Sequence, residues 1–273
     1  MSMQPKYLLS EINLICPIND GESKTILTIA KRLSIDVRIS KQGWGARLDK
    51  EPKENLHHLK KVLFIVEMPS PEFEEKLRQD GHILEIIDHH AMYNLDRTNK
   101  LSSLEQFAEL VGYQLSRFEK AVALNDRGYI YAMRDAGYTL EEIKKVRAYD
   151  LQAQAESQQI AWEHIRKISV QAKQEAELKH GILIAYLPST FNMYLLDLVL
   201  LEKPDTIIDL LIITKLDDGT IPLVQFFGRK ELVQHLYAAL GGFMGGARDD
   251  SGFWGLKEHI SLEKIFHVLY ISE

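Results

Sequence analysis

An apolar run, His82-Ile83-Leu84-Glu85-Ile86-Ile87, leads without a break into Asp88-His89-His90. A buried strand seldom ends this way for packing alone. In open α/β sheets ligands sit beyond the C-terminal ends of the strands, so a carboxylate and two imidazoles there have the layout of a site. A carboxylate with neutral imidazoles is also a good donor set for a divalent metal that activates water. A solvated strand end is the plain alternative, and the tripeptide alone does not choose between them.

The residues around it favour a site. Residues 12–17, INLICP, read as a buried strand followed by the polar turn Asn19-Asp20-Gly21-Glu22. The next stretch, SKTILTIAKRL, has its apolar residues at helical spacing, with Ser23 or the turn as its cap. DVRIS (36–40) is a short strand, and GWGARLDKEPKEN reads as a loop. KVLFIVEMP (61–69) is a third strand, ending at Glu67 and stopped by Pro69. Pro71 opens the helix PEFEEKLRQDG, with Gly81 at its end. Strands alternating with helices predict a mostly parallel, helix-covered sheet. Three strand ends, at Asp20, Glu67 and Asp88-His89-His90, would then meet along one edge.

From Ser102 to about Tyr149 the pattern is helical, with Asn125-Asp126-Arg127-Gly128 as a turn able to aim Asp126 inward. Residues 151–179 are rich in Gln, Ala, Glu and Lys and contain neither Gly nor Pro, which predicts one long connecting helix closed by Gly181. Beyond it GILIAYLP, TIIDLLIITKL and TIPLVQFFG read as strands, the last two joined by a hairpin at Asp217-Asp218-Gly219. TFNMYLLDLVLLE and KELVQHLYAALGG read as helices. The segment 241–255 is glycine-rich and carries Arg248, Phe253 and Trp254. Such a loop lets backbone N–H groups approach an anion, although a surface loop is the commoner meaning of the same composition. The chain closes with SLEKIFHVLYIS, a helix and a last strand.

The fold class is therefore α/β: a parallel-sheet domain joined by a long helix to a smaller α/β domain. The 273 residues suffice for two cores. A net charge of −6 excludes a general duplex-DNA coat, so an anionic substrate needs a local basic cluster or a metal. The single cysteine, Cys16, excludes an intramolecular disulfide and fits a reducing cytoplasm. The first residues lack the basic start and apolar run of a signal peptide, and the most apolar helix is broken by Asp197, so no membrane span is expected.

Taken together, Asp88-His89-His90 at a strand end, Glu67 upstream, Asp126 downstream and the late glycine-rich segment resemble the DHH phosphoesterase superfamily over almost the whole chain. The resemblance implies a DHH domain at 1–150, a helical linker at 151–180 and a DHH-associated substrate-binding domain at 181–273. The first motif is degenerate. Asp20 matches its second aspartate, but Ile18 stands where the first would be, and Leu14 or a neighbour where a histidine would be. Glu67 replaces an aspartate, and Ala247 and Arg248 lie near the position of a C-terminal histidine.

What the resemblance implies follows residue by residue. Asp20, Glu67, His89 and Asp126 would hold one Mn²⁺, or Mg²⁺ in its place. A second ion would lack two of its donors unless Asn19 or Glu22 replaced them. His90 would contact phosphate or protonate the leaving group, and Asp88 would orient a histidine. Arg229, Arg248 and the glycines Gly245, Gly246 and Gly252 would bind the substrate from the second domain, with the linker as a hinge. The implied activity is hydrolysis of a small phosphodiester or phosphoanhydride: a dinucleotide, a short single-stranded oligonucleotide or a condensed phosphate. The lost donors equally suit a regulatory, nucleotide-binding protein with little or no turnover. The chain is compatible with a monomer or an oligomer.

Other residues have plainer readings. The pair His57-His58 reads as a charged surface face, His164 and His180 as exposed, Asp249-Asp250 as a turn, and Tyr129 and Tyr131 as core. Trp44 and Arg47 suit a packed loop as well as a cleft wall.

Overall fold

The computed structural model describes residues 4–92, 95–203, 206–246 and 248–270. The chain divides into two compact units, Met1–Ile160 and Ala161–Glu273. The division falls within the segment expected to be the linker.

The first unit is built on a four-stranded sheet in the order β2-β1-β3-β4, every pair parallel. Its strands are β1 (Ile12–Pro17), β2 (Asp36–Ser40), β3 (Val62–Val66) and β4 (Ile83–Ile87). The two central strands, β1 and β3, are buried throughout, which is why they read as unbroken apolar runs rather than alternating ones. Helices α1 (Gly21–Arg32) and α2 (Pro71–Gln79) make the crossovers. Asp20 caps α1 through a reciprocal pair with Ser23, and Pro71 begins α2. One side of the sheet packs Ile15, Leu63 and Ile65 against Ala46, Leu48 and Leu77. A two-stranded ribbon, β5 (Ala91–Met92) and β6 (Leu95–Asp96), follows β4.

Three helices then complete this unit: α3 (Ser103–Leu110), α4 (Arg117–Asp135) and α5 (Leu140–Ser157). Each starts at a capping box, Ser102/Glu105, Ser116/Glu119 and Thr139/Glu142. Helix α4 is broken at Gly128 and Tyr129, the latter with φ of 60°. The expected turn after Asp126 is thus a kink inside a longer helix.

The expected uninterrupted helix over 151–179 is instead two helices and a strand. Helix α5 ends at Ser157, with Gln159 in the left-handed region and Ile160 N–H donating to Ala155 O at 2.8 Å. This closure ordinarily uses glycine, so a glutamine there hides it from the sequence. Helix α6 (Trp162–Gln174) begins the second unit, and residues Glu177–Lys179 form the edge strand β7. His180 and Gly181, both with positive φ, make the turn into β8 (Ile182–Leu187).

The second unit carries a six-stranded sheet in the order β11-β12-β10-β9-β8-β7. Strands β8 and β9 (Leu210–Thr214) are parallel, and β10 (Leu223–Arg229) returns antiparallel to β9. The expected hairpin at Asp217-Asp218-Gly219 is therefore present. Helices α7 (Met193–Leu200), α8 (Lys230–Leu240) and α9 (Leu262–Tyr270) accompany the sheet, whose core includes Ile184, Leu211, Phe226, Trp254 and Ile265. The last strand expected after α9 falls outside the described residues.

The glycine-rich segment is largely the hairpin of β11 (Phe243–Gly245) and β12 (Ser251–Leu256). Trp254 is fully buried and its Nε1–H donates to Gly241 O at 2.7 Å. At Gly246, with φ of 119°, an added Cβ would lie 2.7 Å from the Gly252 Cα. Close strand packing thus accounts for this glycine without a ligand. Ala247 lies outside the described residues. Among the described residues, no helix is long and apolar enough to cross a membrane.

Candidate metal centre

Parallel pairing of β1, β3 and β4 brings three successive strand ends to one edge of the first sheet. Glu67 follows β3, and its N–H still continues the ladder to Ile87 O at 3.0 Å. Its φ is 50°, an unusual backbone for a residue with a Cβ, and strain of this kind is held where the surroundings over-determine it. Here Ser103 donates its hydroxyl to Glu67 Oε1 at 2.7 Å, from the first turn of α3. Asp88, His89 and His90 follow β4. Asp126 comes from α4, two residues before its kink.

Glu67, His89 and Asp126 lie together, and Glu22 joins them from the first turn of α1. One donor atom from each of the four lies within 4.8 Å of the others. His89 Nε2 is 2.6 Å from Asp126 Oδ2, 3.5 Å from Glu67 Oε1 and 4.0 Å from Glu22 Oε2. A second grouping, Glu67, His89 and His90, overlaps the first. Although His89 Nε2 and Asp126 Oδ2 approach so closely, both are buried and neither has a hydrogen-bond partner. Their contact is short but off the hydrogen-bond axis.

Asp20 is outside this group. Its Oδ1 accepts from Ser23 N and from Ser23 Oγ, each at 2.9 Å, as the cap of α1. In that grouping the carboxylate two residues on, Glu22, stands where Asp20 was expected. Glu22 Oε1 accepts the Leu104 N–H at 2.9 Å, so the start of α3 orients it. Position on a helix's first turn, directly over a strand end, was the only sequence signal for Glu22. The choice between the two carboxylates is directly testable. Asp20→Asn keeps a good cap, so it is expected to retain Mn²⁺ affinity within about tenfold. Glu22→Gln should lose more than the ~100-fold typical of an outer partner. Calorimetric titration of Mn²⁺ reads both.

The charges are crowded. Burial pushes the Glu22 carboxyl well above its ordinary range, and the Asp126 and Glu67 charges add to this. Burial, with the Asp126 charge behind it, pushes Asp20 up to about 8. Burial opposes a charge on His89, but Asp126 and Glu67 outweigh it and raise its pKa to about 10. The metal-free cluster therefore holds protons that a cation would displace.

His90 is more open, with its side chain 39% exposed, and its Nδ1 lies 3.1 Å from Asp88 Oδ1. That bond raises His90's pKa against the cost of burial. Burial works against charge on Asp88, yet the His90 hydrogen bonds hold it below the usual carboxylate range. Behind Asp88, Arg97 donates to Glu74 Oε1 at 2.6 Å and stands 3.9 Å from Asp88 Oδ2.

In the second unit Arg229 is clamped by Asp209, with Nε and Nη2 at 2.8 and 2.7 Å from Oδ2. Arg248 makes a fork to Asp250, at 2.7 and 2.6 Å. Both guanidiniums expected to meet substrate are thus already paired with carboxylates. His57, His58 and His164 are exposed, and Trp44 is 60% exposed. Tyr129 and Tyr131 are half-buried rather than core.

Fold and site together define a two-unit α/β protein with a carboxylate–imidazole cluster at the carboxyl edge of a parallel sheet. No protein-family model matches the chain, and none of the curated proteins does. Among solved structures the chain is similar to a DHH domain described as a member of the s1p family of ribosomal proteins. That likeness has 10% identity and a TM-score of 0.46, covering 96% of this chain and 86% of the other. It is also similar to the exonuclease RecJ bound to manganese, at 12% identity and a TM-score of 0.45, over 96% and 89% of the two chains. A third likeness is to PggH, a pGpG-specific phosphodiesterase from Vibrio cholerae, at 13% identity and 0.42, over 94% and 96%. At such identities and scores these likenesses assign no chemistry to this chain, which rests on its own residues.

Proposed function

We propose that this chain is a divalent-metal-dependent phosphoesterase of the DHH type. Its substrate would be a small phosphodiester or phosphoanhydride, and its metal would be held by Glu22, Glu67, His89 and Asp126. The convergence of these donors supports the reading, above all the buried His89 Nε2 and Asp126 Oδ2 with no hydrogen bond to satisfy them. Three carboxylates and an imidazole suit Mn²⁺, with Mg²⁺ as the alternative. Bound there, the ion supplies polarisation of a phosphoryl oxygen and a lowered pKa for a water.

The chain's own groups do the rest. Ser103 and the strained backbone hold Glu67 toward the cluster, and the Leu104 N–H does the same for Glu22. Asp88 accepts from His90 Nδ1, which leaves Nε2 to hold a proton for the leaving oxygen. In the second unit Arg229 and Arg248, with Gly245, Gly246 and Gly252 beside them, are the candidates for binding a phosphate. Binding there would exchange Asp209 or Asp250 for the ligand. The −6 charge favours short, small anions over duplex DNA. The buried thiol of Cys16 suits a reducing cytoplasm.

A second reading is a nucleotide-binding regulator without turnover. It is favoured by Ile18, 36% exposed, an apolar side chain where the resemblance implies an aspartate. One experiment separates the two. Purified protein with Mn²⁺ is incubated with pyrophosphate, a dinucleotide and a short single-stranded oligonucleotide. The enzyme reading expects Mn²⁺-dependent release of product that Glu67→Gln abolishes. Tight dinucleotide binding with no product supports the regulator, and a protein that takes up no Mn²⁺ contradicts the enzyme reading.

A further inference from the structure

Two of the four donors come from helices rather than from strand ends: Glu22 from α1 and Asp126 from α4. These two helices touch each other, and both pack on α5. A buried ion pair on α5 touches both. Arg147 is 3% exposed and Asp150 is 5% exposed. Arg147 Nη1 lies 2.7 Å from Asp150 Oδ2 and donates to Asn125 Oδ1 at 2.9 Å. Asn125 is the residue before Asp126. The other oxygen, Asp150 Oδ1, accepts the Gly21 N–H at 2.9 Å. Gly21 is the residue between Asp20 and Glu22.

The fit on both sides is close. A Cβ at Gly21 would sit 3.0 Å from the Asp150 Cα and 3.1 Å from the Tyr149 ring. An added Cβ there would be tight, so α5 or the start of α1 would have to give by a few tenths of an ångström. At the other end the Arg147 guanidinium stacks 4.4 Å from the Tyr129 ring, the residue whose positive φ breaks α4. Gln154 adds a bond to Asp150 Oδ2 at 3.0 Å, from the next turn of α5.

A buried ion pair is a poor device for stability, because desolvation of both groups offsets their attraction. It is a good device for fixing geometry, since a planar guanidinium nitrogen with two fixed N–H groups and a two-oxygen acceptor hold their partners at set distances and angles. We propose that Arg147 and Asp150 are positioning residues. They set the distance between the Glu22 and Asp126 carboxylates, and thereby the size of the cation cluster. This inference rests on the metal reading for its consequence but not for its geometry.

The test uses the full chain, Mn²⁺ alone as the probe, and three variants: Arg147→Met, Arg147→Lys and Asn125→Ala. Lysine keeps the charge against Asp150 but lacks the planar Nη1, whose two fixed N–H groups donate to Asp150 and Asn125. Asn125→Ala removes only the α4 end of the span and leaves the ion pair intact, so it guards against a variant that fails to fold. Arg147→Met and Asn125→Ala are expected to weaken Mn²⁺ binding by about 10- to 100-fold, the usual cost of removing an outer partner. Arg147→Lys should recover most of the melting temperature lost in Arg147→Met but little of the affinity. In the metal-free variants, amide hydrogen exchange should rise at 21–23 and 125–129 while β1 and β3 keep their protection. If affinity follows melting temperature through all three variants, the pair merely supports the fold and the inference is overturned. Should the wild type take up no Mn²⁺, the metal reading fails. The positioning claim is then decided by exchange alone, and unchanged protection at both segments overturns it.

Discussion

His89→Ala is expected to abolish measurable Mn²⁺ binding, a loss greater than the ~100-fold that removal of an outer partner causes. The reason is geometric. His89 Nε2 faces Asp126, Glu67 and Glu22 at 2.6, 3.5 and 4.0 Å, so its imidazole lies within reach of all three other donors. The same substitution removes the group that balances three carboxylates in the metal-free protein. By the sign of its raised pKa, the charged imidazole contributes fully only below about pH 6.5, so the metal-free melting temperature should fall more at pH 5 than at pH 9. A His89→Ala protein that still takes up one Mn²⁺ per chain with unchanged affinity would sink the assignment.

The second large effect is the pH dependence of stability, and its reversal by metal. Asp20 has its pKa raised to about 8, so between about pH 4 and 8 the native state keeps a proton that the unfolded chain releases. Stability then falls as pH rises across that window. Glu22, also raised, acts in the same direction. His89, raised to about 10, contributes stability that is complete below about pH 6.5 and lost as pH rises through 10. Asp88 has the opposite sign: its lowered pKa adds stability above about pH 4 that acid removes. The metal-free N-terminal unit should thus be most stable in mild acid and weaken steadily toward pH 9. A cation replaces the protons, so Mn²⁺ should stabilise far more at pH 8.5 than at pH 5.5. At a thousandfold excess over Kd the gain is about 4 kcal/mol, or roughly 8–16 °C in the transition of a unit of this size. Calorimetric scans at the two pH values, with Mn²⁺ and with chelator, read the effect. An increment that is equal at both, or larger in acid, contradicts the electrostatic account.

Much of the local structure was legible because its signals are local. The strands β1, β3 and β4 announced themselves as apolar runs, and their acidic or histidine-bearing ends followed from the alternation of strands with short helices. The starts of α2 and of the β9–β10 hairpin were written in Pro71 and Asp217-Asp218-Gly219. What stayed hidden had unusual residues in ordinary roles. Gln159 adopts a backbone that glycine usually takes, so the end of α5 looked like continuing helix. The Gly246 region looked like an anion loop, whereas tight pairing of β11 on β12 explains it. Arg229 and Arg248 looked free because their partners, Asp209 and Asp250, become theirs only when the sheet and its edge hairpin form.

By itself the sequence determined which residue types stand at the strand ends, and hence that Glu67, Asp88, His89 and His90 share one edge of a parallel sheet. That follows from strand periodicity and the handedness of crossovers, which act over a few residues at a time. Only the tertiary structure brought Glu22 rather than Asp20 into one group with Glu67, His89 and Asp126, the two separated by half a helical turn. The start of α1 leaves Asp20 to satisfy the helix's own N–H groups, while docking against α3 and α5 turns Glu22 toward His89. A choice of that kind depends on packing between segments more than a hundred residues apart in the chain, as Gly21 against Asp150 illustrates, and no local pattern records it.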